Sequence, residues 1–101
     1  MTMCPAIRQL TRYIEHACEV PGFTCVTNGN FRGGWTVRNC GQPSRGVHAI
    51  QMELACRSYL EEPEGPLTED SWPPSFDPAR AAPLRALLRE VLHTCIEFGR
   101  I

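Results

Sequence analysis

"GVHAIQMELACRSYL", residues 46–60, is the stretch on which the fold reading turns. Val47, Ala49, Ile50, Met52 and Leu54 have the character of a strand covered on both faces, as strands inside an α/β layer are. Alternation puts His48, Ile50, Met52 and Leu54 on one face and Val47, Ala49, Gln51 and Glu53 on the other. Glu53 is the residue out of place. A carboxylate on a covered strand loses hydration and is costly unless it is paired, bound to a metal or used in chemistry. It stands near the carboxyl end of the strand, where open α/β sheets place their ligands. Alternation alone leaves two readings open: a carboxylate at the sheet rim, reaching water or Arg57, and a carboxylate that does chemistry.

Upstream, "CGQPSRG" at 40–46 reads as a loop and "WTVRN" at 35–39 as a second strand. "NGNFRGG" at 28–34 is a turn rich in residues that accept positive φ, and "FTCVT" at 23–27 is a third β-branched, aromatic run. Residues 5–19 carry Ile7, Leu10, Ile14, Ala17 and Cys18 at helical spacing, and "VPG" at 20–22 stops that helix. Downstream, "EEPEGPLTEDSWPPSF" at 61–76 is an acidic, proline-broken loop. Asp77 then supplies an N-cap and Pro78 suits the first helical position. The following helix carries Leu84, Leu87, Leu88, Val91, Leu92, Cys95 and Ile96 along one stripe and stops at Gly99.

The expected order is α-β-β-β-α, with no internal repeat. Three strands offer little sheet for two helices to cover. The 101 residues therefore read as a partial single domain, the C-terminal piece of a layered α/β sheet that needs further strands beside it.

Composition narrows the functional classes. A net charge of −1 supplies no basic field for nucleic acid or anionic lipid. No apolar run approaches the length of a membrane span, and the first residues lack the pattern of a secretory leader. The six cysteines, with no C-x-x-C pair, read as reduced and mostly buried thiols of a cytoplasmic protein. All ten basic residues are Arg, which is consistent with composition bias and also with guanidiniums gripping carboxylates in a bidentate fork.

A second candidate for chemistry is "NGNFRGGWTVRN" at 28–39. Gly33 and Gly34 let a backbone approach a ligand, although a long hairpin turn explains them equally well. Trp35 and Arg38 follow at once, and an arginine on a strand needs an acceptor or solvent. His16 and His93 read as surface or structural residues, and His48 as a core or rim histidine. No HxH, HxxE or HExxH spacing occurs, so the sequence supplies no metal site of its own. The nucleophile-elbow, P-loop and dinucleotide patterns are also missing.

Taken together, "GFTCVTNGNFRGGWTVRNCGQPSRGVHAIQMELACRSYLEE" at 22–62 resembles the C-terminal part of the N-formylglutamate deformylases (N-formylglutamate amidohydrolases) of histidine catabolism. Asn28, Gly29, Phe31, Arg32, Gly33, Gly34, Trp35, Arg38, Gly41, Gly46, Val47, His48, Ala49, Gln51, Glu53, Leu54, Arg57 and Tyr59 carry that resemblance. "FDPARAAPLRALLREVL" at 76–92 is similar to the family's closing helix. Asn39, Cys40, Asn30 and Trp35 depart from the pattern, which bears on substrate-side geometry.

The resemblance implies a layered α/β/α domain of the zinc-exopeptidase-like (phosphorylase/hydrolase-like) kind. It implies hydrolysis of N-formyl-L-glutamate to formate and L-glutamate, with a water activated by zinc or a similar divalent metal. Glu53 matches the late-strand glutamate that acts as general base. Arg38 is then expected to hold a substrate carboxylate, and Trp35, Gly33 and Gly34 to wall the pocket. The metal ligands of the family lie in portions that this chain lacks, so the chain alone is expected to be inactive and to need a missing N-terminal portion or a partner chain. Two other readings share these residues: a non-catalytic α/β interaction module built on that scaffold, and an amidohydrolase for another N-acyl amino acid.

Overall fold

In a computed structural model of the chain, residues 8–30 and 33–100 are described. Three helices organise them: α1, Arg8–Ala17; α2, Trp35–Cys40; and α3, Pro78–Gly99. Short 3-10 turns stand at Pro43–Arg45 and Cys56–Ser58.

The packing begins with α1. Its Leu10 and Ile14, with Cys18 one turn later, stand at i, i+4 intervals on one face and are all buried. That face meets Leu87 of α3, and Phe23, Ile50, Met52, Leu88, Val91 and Phe98 pack around the cluster. Each fully buried aliphatic side chain contributes about 1.5–3 kcal/mol, so this small cluster is the main cohesive element. Residues 5–7, which the sequence pattern assigns to the first helix, lie outside the described residues.

α3 starts where the local chemistry directs it. The Asp77 carboxylate accepts the backbone N–H of Arg80 at 3.1 Å, and Pro78 occupies the first turn. Its apolar stripe is only partly covered. Ala81, Leu84 and Leu87 are buried, whereas Leu92 and Ile96 are more than half exposed. Leu92 and Ile96 lie off the face that carries Leu87, Leu88, Val91 and Phe98 and meets the cluster.

The region between α1 and α3 departs from the sequence expectation. Residues 35–39, read as a strand, lie in α2. Arg38 N–H donates to the Gly34 carbonyl and Gly41 N–H to that of Val37, both at 3.2 Å. The Asn39 side chain caps the Trp35 carbonyl at 2.8 Å. With no neighbouring strand to bond, the backbone satisfies itself locally, and the helix buries Val37 while leaving Trp35 in solvent. The other two expected strands, 23–27 and 47–54, form no ladder among the described residues. Two isolated antiparallel bridges, Gln42 with Val47 and Leu60 with Phe76, pair described residues with each other. The second bridge closes the loop of residues 61–76 at its base.

The cysteines also differ from expectation. Cys18 is buried, Cys56 is half-buried, and Cys25, Cys40 and Cys95 are exposed; all five are free thiols. Cys25 stands on a segment that forms no strand among the described residues, and Cys95 lies on α3 outside the residues packed against the cluster. No helix among the described residues is long and apolar enough to cross a membrane.

Candidate functional site

The turn that precedes α2 holds a backbone shape that only glycine adopts easily: Gly33 has φ +94°. Gly34 follows as the residue before the helix, with its N–H turned outward from the helical ladder. That N–H donates to the Gln51 side-chain oxygen at 2.9 Å. The Gln51 amide nitrogen in turn donates to Glu53 Oε1 at 2.5 Å. One glutamine thus spans from the diglycine turn to the glutamate carboxylate. On the other side of the turn, Arg38 Nη1 donates to the Gly33 carbonyl at 3.0 Å, and the rest of that guanidinium faces solvent.

Glu53 lines a cavity of about 460 Å³. Residues 22–26, 29–30, 52–55 and 57–58 form its walls, with Leu84 and Leu87 of α3 and the Cys18 thiol behind them. Gly33, Gly34, Trp35 and Arg38 do not line it; they stand behind Glu53 and connect to it through Gln51. Trp35, 69% exposed at the start of α2, faces solvent. The sequence pattern names all five residues, and the structure joins four of them by hydrogen bonds, with Gln51 as the connector. The signal for that connector is the strand-like alternation, which puts Gln51 and Glu53 on one face.

Among the described residues the Glu53 carboxylate has no cationic partner. Among the described residues no ion pair joins Glu53 to Arg57, and the carboxylate accepts a hydrogen bond from the neutral Gln51 amide. Of the rim reading left open by the sequence, the Arg57 pairing is not formed among the described residues, while the Glu53 side chain is exposed and reaches water. Elsewhere on the cavity wall, the Cys18 thiol is pushed up to about 11 by burial, with the neighbouring Cys25 adding to the shift. Cys25 itself is tied to the Cys18 carbonyl by its thiol, at 3.4 Å.

The histidines stand apart from this arrangement. His48 packs edge-on against the Phe98 ring, with centroids 5.2 Å apart. His16 is exposed and lies 3.5 Å from Glu19. Among the described residues no group of three or more His, Cys, Asp or Glu side chains is placed to hold a metal ion. The zinc or similar metal implied by the resemblance does not fit these residues.

The diglycine turn, the glutamine and the carboxylate belong to a recognisable sequence pattern. The sequence profile of the N-formylglutamate amidohydrolase family matches residues 4–60, more than half of the chain. The chain belongs to that family. It is 32% identical over 91 residues to the N-formylglutamate deformylase of Pseudomonas putida, covering 89% of this chain and 31% of that protein. It is 35% identical over 92 residues to the N-formylglutamate deformylase of Pseudomonas aeruginosa, covering 90% of this chain and 32% of that one. The chain thus spans about a third of the length of the curated relatives it matches. No solved structure matches it.

Family membership gives the missing strands a physical meaning. Residues 23–27 and 47–54 have strand composition and form no ladder among the described residues, in a chain that aligns with about a third of the length of each curated relative. Trp35, Val26 and Val47 are each at least half exposed. Those apolar side chains are of the kind that a neighbouring strand covers.

Proposed function

We propose that this chain is the C-terminal part of a layered α/β/α, zinc-exopeptidase-like amidohydrolase that converts N-formyl-L-glutamate to formate and L-glutamate in the cytoplasm. The observation that carries this reading is the placement of Glu53: on a cavity wall, in no ion pair among the described residues, with one carboxylate oxygen oriented by Gln51. A carboxylate held by one donor is oriented to take a proton.

In the proposed reaction Glu53 accepts a proton from the attacking water and returns it to the leaving amine. The C–N bond breaks, formate and the amino group of glutamate separate, and the carboxylate is regenerated. Arg38 binds one of the two substrate carboxylates with the guanidinium nitrogens that its Gly33 contact leaves available. Gly33 holds that guanidinium through its carbonyl, Gly34 connects to Glu53 through Gln51, and Trp35 opens α2 beside them. The described residues do not form a metal-binding group, and none of these steps is routed through one. Ligands for zinc or a similar divalent metal belong, in this proposal, to the part of the relatives that the chain does not span.

The test is formate release from N-formyl-L-glutamate. The chain is assayed alone and then mixed with zinc and the separately expressed N-terminal two thirds of the P. putida deformylase. Activity is expected only in the mixture, and Glu53→Gln should lower it by about 10²-fold or more. Full activity with Glu53→Gln would remove Glu53 from the mechanism. A mixture that associates but releases no formate would favour a non-catalytic interaction module.

A further inference from the structure

The cavity wall also carries two thiols, Cys18 and Cys25, to which the proposed reaction gives no task. They stand seven residues apart. A fully extended chain would separate their Cα atoms by about 25 Å. The structure instead brings the two side chains together.

The sequence "VPGF" at 20–23 makes the reversal. α1 ends just before Cys18, whose N–H still donates to the Ile14 carbonyl at 3.0 Å. Phe23 N–H donates to the Val20 carbonyl at 3.2 Å, which closes a four-residue turn with Pro21 and Gly22 at its centre. Proline fixes φ at the first central position and Gly22 supplies φ +92° at the second, the pairing that a type II turn requires. Phe23 then packs against the helical cluster to which Cys18 belongs, so the returning segment is held against the end of α1. Cys25 Sγ reaches the Cys18 carbonyl at 3.4 Å, and a hydrogen bond joins the two side chains.

The two thiols differ in access. Cys18 is 2% exposed, whereas Cys25 is exposed. Burial pushes the Cys18 thiol up to about 11, with the charge of Cys25 and the hydrogen bond to it adding to the shift. Cys18 is therefore protonated at neutral pH and a poor first nucleophile. A reagent in solution meets Cys25 first and finds Cys18 behind it, the arrangement of an attacking and a resolving thiol.

We propose that Cys18 and Cys25 form a reversible dithiol–disulfide site that exchanges with low-molecular-weight disulfides such as oxidised glutathione. Cys25, as its thiolate, attacks one sulfur of the small disulfide and displaces the other half as a thiolate. Cys18 then releases its proton to solvent and attacks Cys25 Sγ, displacing the second half. Two protein thiols are oxidised to one S–S bond, and one small disulfide is reduced to two thiols. The new bond ties residues 22–26 of the cavity wall to the end of α1, beside the space that Glu53 lines. This site does not depend on the amidohydrolase reading above.

The test equilibrates the 101-residue chain with mixtures of reduced and oxidised glutathione, then applies acid quenching, alkylation, tryptic digestion and mass spectrometry. Residues 13–32 contain both cysteines and no internal Arg or Lys, so they are released as one peptide. The expected product has lost two hydrogens, carries neither an alkyl group nor glutathione, and is restored by dithiothreitol. Any flexible chain forms so short a loop to some extent, so the same equilibrium is measured in urea. The folded chain should favour the bond on the order of tenfold or more over the unfolded one, because a cross-link that fits the fold is stabilised by it as much as it stabilises it. Cys18→Ser should stop at the glutathione adduct of Cys25. An equal or lower yield in the folded chain, a Cys25 adduct that persists when Cys18 is present, or pairing of either thiol with Cys40 or Cys95 instead would overturn the proposal.

Discussion

Gln51 donates its side-chain amide hydrogen to Glu53 while its amide oxygen accepts the backbone N–H of Gly34. The two ends of that amide are not interchangeable: only a group carrying both a donor and an acceptor makes both bonds. The glutamine therefore couples the start of α2 to the orientation of the carboxylate. A change in the turn is transmitted to the candidate base through three atoms of one side chain.

Replacing Gln51 by Leu keeps the approximate volume and removes both bonds. The Gly34 N–H then loses its partner in a half-buried site, at a cost of about 1 kcal/mol. Hydrogen exchange at the Gly34 amide should accelerate, and the urea midpoint should fall. Gln51→Glu should be worse, because it removes the donor and places a second carboxylate against Glu53. Unchanged exchange at Gly34 in both variants would remove Gln51 as the connector.

The Cys18 thiol gives a pH dependence with a definite sign. Its folded pKa, about 11, lies above the ordinary thiol value of 9.0 because burial disfavours the thiolate, with Cys25 adding to the effect. The unfolded chain releases this proton first as pH rises. The stabilising contribution is thus complete below about pH 9 and is lost as pH climbs toward 11. Denaturant midpoints should decline across that window in the native chain and stay flatter in Cys18→Ala. At neutral pH, alkylation followed by mass spectrometry should label Cys25, Cys40 and Cys95 well before Cys18.

What could be read from sequence follows the range of the interactions involved. α3 was legible because its start is decided within four residues, by the Asp77 carboxylate and Pro78. The buried face of α1 was legible because Leu10, Ile14 and Cys18 repeat at one helical interval. Residues 35–39 were not, because Trp35, Thr36 and Val37 are strand formers only beside another strand, and the described residues provide none. Glu53 was visible as a carboxylate in apolar company. Its connection to Gly34 was harder to see, since it depends on how a turn 17 residues earlier folds back.

Asp77 offers a local test of the start of α3. Asp77→Ala removes the acceptor for the Arg80 N–H and a negative charge at the helix N-terminus, costing about 1 kcal/mol. Asp77→Asn keeps the acceptor and should lose far less. Circular dichroism should show fraying of the first turn in the alanine variant alone. Equal loss in both variants would assign the effect to charge and not to the cap.

Ile14 and Leu92 separate the covered part of the helical faces from the uncovered part. Ile14 is 1% exposed at the centre of the α1–α3 contact, whereas Leu92 is 63% exposed on α3. Ile14→Ala leaves a cavity between helices that cannot collapse freely, and should cost about 2–5 kcal/mol. In a domain of ordinary stability, about 5–15 kcal/mol, that is a large fraction of the total. Leu92→Ala should change stability by no more than about 0.5 kcal/mol in the chain alone. The two effects are read from urea midpoints at constant slope. When the chain is mixed with the N-terminal two thirds of the P. putida deformylase, the Leu92 variant becomes the informative one. A cost for Leu92→Ala that appears only in the mixture means that the complementing portion covers this face of α3. A cost that stays negligible places the contact elsewhere, along residues 23–27 and 47–54.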